Sequence, residues 1–134
     1  MFCSDWKTAT IDIDRGGEFS GDDVDQFSSL VDLGDNYENV LVMCDSAITS
    51  ATLAPWVQKT DAVDEVPVVV HALDDDATGS FAHATTAGTT QIAVVFRIGA
   101  IRYLRIRTGG NQAADETFSV RGFNGQSFGL YNMG

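Results

Sequence analysis

The sequence predicts an all-β protein: an antiparallel β-sandwich, or a jelly-roll-like fold, of six to eight strands. Three observations carry this. Apolar and polar residues alternate with period two in one segment after another, as in strands with one buried face. Clusters of Gly, Asp and Asn separate those segments at short intervals. The acids are skewed, 15 Asp to 4 Glu, and Asp favours turns where Glu favours helices.

Ala9, Ile11 and Ile13 alternate with Thr8, Thr10, Asp12 and Asp14, and Arg15-Gly16-Gly17 breaks the run. Gly21-Asp22-Asp23 is a second turn signal. Residues 22–30 also fit a short helix capped by Asp22, against the weak helical periodicity elsewhere. Phe27, Ser29, Val31 and Leu33 alternate next, and Gly34-Asp35-Asn36 is read as the turn that closes that segment. Val40-Leu41-Val42-Met43-Cys44 is apolar on both faces, as expected of a central strand. In the stretch from Thr49 to Gln58, which carries Leu53, Trp56 and Val57, Pro55 points to an edge or a bulge. Val66-Pro67-Val68-Val69-Val70 is a β-branched run ended by Asp74-Asp75-Asp76 and Gly79. Ile92, Val94, Phe96 and Ile98 share a face. Gly99-Ala100 is read as a hairpin turn, with Leu104 and Ile106 facing inward on the return. After Gly109-Gly110-Asn111, Phe118 and Val120 mark a final strand.

A chain of 134 residues with 44% hydrophobic content is large enough to bury a core without a metal or disulfide. It is read as one domain over residues 1–134, with a short flexible N-terminal end and a Gly-rich C-terminal end. No apolar run is long enough to span a bilayer, and residues 1–7 do not read as a signal peptide. Cys3 falls near the N-terminus and Cys44 in an apolar run, so a bridge between them is not expected. The net charge of -11 argues against nucleic acid as a partner. That charge is uneven. Residues 97–134 hold Arg97, Arg102, Arg105, Arg107 and Arg121 against Asp115 and Glu116, while the rest of the chain is strongly acidic.

Catalytic chemistry finds no foothold in the sequence. His71 and His83 lack a metal-ligand spacing, no Gly-x-Ser-x-Gly elbow occurs, and Thr108-Gly109-Gly110-Asn111 lacks the Lys of a phosphate loop. Asp12, Asp14, Gly17 and Asp23 fall near a calcium-loop spacing, but Gly16 stands at a ligand position, so these acids and Asp74-Asp75-Asp76 are read as solvated turns. No catalytic residue, cofactor, metal or small-molecule substrate is expected. The arginines are more informative. With Leu104 and Ile106 inward, Tyr103, Arg105 and Arg107 face outward, and Arg121 is out of phase with Phe118 and Val120. Tyr103, Arg105, Arg107 and Arg121 are therefore the candidates for a protein–protein contact. On that reading, serine at Arg105 and Arg107 would spare the fold and weaken assembly.

The stretch Tyr103-Leu104-Arg105-Ile106-Arg107-Thr108-Gly109-Gly110-Asn111-Gln112-Ala113-Ala114-Asp115 resembles the "YLRLRSG…NQAADRT" hairpin of a β-sandwich family of tailed-bacteriophage virion proteins. Residues 38–57, ENVLVMCDSAITSATLAPWV, resemble that family's central strand pair but lack its Ser-x-Asp-Gly turn. The likeness covers roughly residues 37–123. It implies a capsid decoration or cement protein located in the virion, assembled in the host cytoplasm. Its partners would be itself, as a homo-oligomer such as a trimer, and the major capsid protein. The alternative reading is a tail-associated or other carbohydrate- or surface-binding module, for which Trp6 and Trp56 are the available tryptophans.

Overall fold

A computed structural model describes residues 2–44, 48, 52–70, 83–84 (backbone only) and 92–125. Among them are seven strands: β1 (Lys7–Ile11), β2 (Val31–Cys44), β3 (Thr52–Gln58), β4 (Val68–Val69), β5 (His83–Ala84), β6 (Ile92–Thr108) and β7 (Glu116–Phe123). They form one antiparallel sheet in the order β1-β7-β2-β6-β3-β4, with β5 also beside β3. The sheet is not closed into a barrel, and the described residues contain no helix.

Two long, bent strands turn this sheet into a sandwich-like body. Residues 92–97 of β6 pair with residues 39–44 of β2, and residues 103–108 pair with β3, Tyr103 and Leu104 also meeting Asp32 and Val31 of β2 on their other side. Between them the chain bends at Gly99 (φ 73°) and Ala100 (φ 62°). Alongside, β2 slips register between Asp32 and Asn39, where Gly34 has φ 89°. The sheet thus has two halves, and both send side chains to one core. Ala9, Ile11, Val40, Val42, Phe96, Phe118 and Val120 come from the first half, and Leu53, Leu104 and Ile106 from the second. Each large apolar side chain so buried stabilises the fold by about 1.5–3 kcal/mol. The stretch before β2 ties the halves together. Ser29 donates its N–H to the Thr10 carbonyl at 2.8 Å, and Ser28 donates to the Ile106 carbonyl at 2.8 Å.

Pro55 fits this arrangement for a specific reason. It lies opposite Ile106, whose own N–H goes to the Ser28 hydroxyl and whose carbonyl accepts from Ser28. The ladder between β3 and β6 therefore needs no donor at Pro55. On the outer side of β3, β5 pairs at 52–53 and β4 at 56–57, leaving residue 55 between them.

Several local expectations are corrected. Gly99-Ala100 is a corner inside one strand and not a hairpin turn, and Gly34-Asp35-Asn36 is an irregularity inside β2 and not its end. A positive φ either reverses a chain or bends it, and long-range pairing on both sides decides between the two. Residues 22–30 form a turn with one i+4 bond, from the Phe27 N–H to the Asp23 carbonyl, and not a helix. Val66–Val70 gives only the two-residue β4, with Val68 exposed. Residues 2–4 pair with the end of β7 and the residue after it. Ser4 N–H bonds the Gly122 carbonyl at 2.8 Å, the Ser4 hydroxyl accepts from Gly122 N–H, and Cys3 bridges to Phe123. Cys3 and Cys44 are not joined to each other, and Cys44 lies in the core. His71, Asp74-Asp75-Asp76, Gly79 and the C-terminal tail beyond 125 lie outside the described residues.

The corner should be sensitive to residue type. Gly99→Val should cost about 1–2 kcal/mol, because a β-branched residue resists the left-handed region. Ala100→Gly should stabilise by about 0.5–1 kcal/mol, since relief of that strain outweighs added chain entropy. Urea unfolding of both variants checks the opposite signs.

Candidate functional site

The alternation in β6 places Tyr103, Arg105 and Arg107 on the face opposite the core, as the sequence indicates. Their cross-strand neighbours on β3 are Gln58, Trp56 and Ala54. That face is not open, however. Residues 15–28 and the turn after β3 cover it.

Arg105 has no exposed surface. Its Nη1 donates to Glu18 Oε1 at 2.9 Å and to the Ser28 carbonyl at 3.2 Å, and Nη2 donates to the Val63 carbonyl at 3.2 Å. Its guanidinium stacks on the Phe19 ring, 4.8 Å from the centroid. Arg107 lies between Phe27 and Trp56, at 4.6 and 4.7 Å, and donates to Gln26 Oε1 at 3.0 Å. Phe27 in turn meets Phe19 and Trp56 edge to face. The result is a second, smaller core of alternating aromatic rings and arginines. It is held by cation–π contact and charge-assisted hydrogen bonds in place of aliphatic packing.

A second ion pair locks the covering segment onto itself. Arg15 makes a two-pronged contact with Asp22, whose side chain is 1% exposed, with Nη2 to Oδ1 at 2.9 Å. Arg15 Nη2 also reaches the Phe27 carbonyl. Burial pushes the Asp22 carboxyl up, but the Arg15 hydrogen bonds, the Glu18 N–H and the charges of Arg15 and Arg105 outweigh it. Its pKa therefore lies below the usual 3.8.

The expectation of an exposed arginine stripe is thus corrected at Arg105, which is enclosed by its own chain, and largely at Arg107. Tyr103 is half-buried beneath Arg102, which pairs with Asp32 at 2.7 Å. Arg121 belongs to the other half of the sheet, stacked at 4.7 Å on Trp6 and bonded to the Ser4 carbonyl. The four candidates therefore do not form one surface. The Asp-rich turns are engaged locally: Asp12 accepts from the Asp14 N–H, and Asp23 pairs with Arg107. Among the described residues no three His, Cys, Asp or Glu side chains gather as a metal site. His83 begins β5.

Sequence reasoning missed the surface that is open, the outer face of β1, β7, β2 and the first part of β6. There Arg121, Leu41 and Val95 form one cross-strand row, and Ser119, Met43 and Ala93 the next. Val95 is 53% exposed and Met43 36%. Its signal is the run 40–44. Val40, Val42 and Cys44 fill the core, so Leu41 and Met43 belong to a face that nothing in the described chain covers.

Compared with family models, curated proteins and solved structures, the chain matches none. Among the described residues no helix is long and apolar enough to cross a membrane.

Arg105→Ser should lower stability by about 2–4 kcal/mol, because it leaves a void against Phe19 and strips Glu18 and two carbonyls of their donor. Chemical unfolding measures this, against the earlier expectation of an intact fold. Asp22 supplies a pH test. Its folded pKa is depressed, so its contribution is fully present above the unfolded value near 3.8 and disappears as pH falls through the folded value. Asp22→Asn should therefore be less stable at neutral pH and show a shallower loss of stability below about pH 4. Unfolding curves collected across that range read both effects.

Proposed function

We propose that this chain is a bacteriophage virion structural protein, a capsid decoration or cement protein that stabilises the shell by bridging its subunits. The observation that carries the reading is the uncovered outer face of β1, β7, β2 and β6. A sheet face bearing Trp6, Leu41, Met43 and Val95 on so acidic a chain is the kind of surface that packs on protein. Apolar area with arginines beside it is the composition of interface centres. The resemblance of residues 103–115 to phage virion β-sandwich proteins supports the same reading. A protein that binds assembled shells more tightly than free subunits stabilises the shell by mass action.

The carbohydrate-binding alternative has less support. Trp56 stacks on Arg107 and meets Phe27 edge on, and Trp6 stacks on Arg121. Each ring thus offers at most one free face to a sugar.

The test is binding to shells. Purified chain mixed with particles lacking it should co-sediment at saturating, stoichiometric occupancy and raise the temperature at which the shell opens. A chain that stays in the supernatant at micromolar concentration and leaves shell stability unchanged would remove this function.

A further inference from the structure

We propose that copies of this chain associate head to tail, the acidic loop 60–66 of one copy docking on the outer face of β1, β7, β2 and β6 of the next. This deepens the protein-contact reading above by naming the partner at that face. Two surfaces that the fold does not explain carry it.

The first is the face itself. Its centre is apolar, with Leu41, Met43 and Val95 adjacent across the register. Trp6, 44% exposed, stands beside Arg121. Where β1, β7, residues 39–44 of β2 and residues 92–97 of β6 lie side by side, the outward positions carry Arg97 and Arg121 and no carboxylate, on a chain of net charge -11.

The second is the loop after β3, which shows the complementary pattern. Asp61, Val63, Asp64 and Val66 are all exposed, with Val63 at 49% and Val66 at 52%. It is also held firmly from behind. The Glu65 carboxylate accepts from the N–H groups of Lys59 and Thr60 at 2.7 and 3.0 Å. Gln58 Nε2 donates to the carbonyls of Thr60 and Ala62 at 2.9 and 2.8 Å. Arg105 holds the Val63 carbonyl. The loop thus presents two carboxylates and two valines in a shape fixed before binding, which reduces the ordering that docking requires.

Charge selects the geometry. Two copies meeting through the same face would set Arg97 and Arg121 against their own counterparts, a like-charge contact that opposes two-fold pairing. Loop on face joins opposite charges and apolar to apolar. The loop and the face belong to different halves of the folded sheet. Such a heterologous contact repeats from copy to copy and closes as a ring when the rotation allows.

Sedimentation of the full chain over about 1–100 micromolar tests this. Asp61→Lys with Asp64→Lys, and separately Arg97→Glu, should each weaken self-association at least about tenfold. The chain carrying all three substitutions should recover association to within a few-fold of the parent, with circular dichroism confirming the fold throughout. A parent that is monomeric over the whole range overturns the proposal. So does association that neither variant weakens, or that the triple variant fails to restore. Shell binding is read separately. A monomer that co-sediments with particles removes this contact and leaves the virion reading standing, whereas a ring that ignores particles does the reverse.

Discussion

The guanidinium of Arg105 is out of contact with solvent, and two stretches of the chain remote from each other in sequence meet on it: the covering segment, through Glu18, Phe19 and Ser28, and the loop after β3, through Val63. An isolated buried cation is costly, so a guanidinium in this position persists only with acceptors arranged around it. Glu18, two backbone carbonyls and an aromatic face supply that arrangement. The same bonds fix where residues 15–28 cross the sheet, and with them Ser28, which satisfies both backbone groups of Ile106. They also hold the loop after β3 from beneath. An apolar residue at this position would fill space but specify none of these contacts.

The clamp gives the two halves of the sheet different surfaces. On the β3 side, arginines and aromatic rings are consumed by intramolecular packing, so their positive charge is neutralised at home by Glu18 and Asp23. On the β7 side, Arg121 and Arg97 remain beside exposed Val95 and Met43. A chain that is polarised in sequence is therefore polarised in space along a different line. The open cationic face includes only part of the basic segment 97–134.

Much of the fold was legible in the sequence, because strands with one buried face advertise themselves locally. The alternation of Ile92, Val94, Phe96 and Ile98, of Leu104 and Ile106, and of Ala9 and Ile11 places the inward positions correctly. What was not legible depends on contacts between distant residues. Gly99-Ala100 signals a change of direction but not whether the chain reverses or bends. Arg105 is outward by parity, yet its burial depends on a covering segment some 80 residues earlier in the chain. Phe27, in phase with Val31 and Leu33, packs instead on Trp56 across the sheet, because the chain changes course at Ser28-Ser29-Leu30. The open face was half-visible: Leu41 and Met43 were evident as a second apolar side of a central strand, but the sequence does not say whether anything lies over it.

Native-state hydrogen exchange tests the clamp most directly. If Arg105 fixes residues 15–28 against the sheet, the amides of Ser28 and Ser29, which bond Ile106 and Thr10, should exchange only with global unfolding. They should then match the slowest amides of β2 and β6 and shift in parallel with denaturant. Exchange of Ser28 and Ser29 through local opening, with free energies far below those of β2 and β6 and insensitive to denaturant, would show that the covering segment is not locked down and would contradict the account.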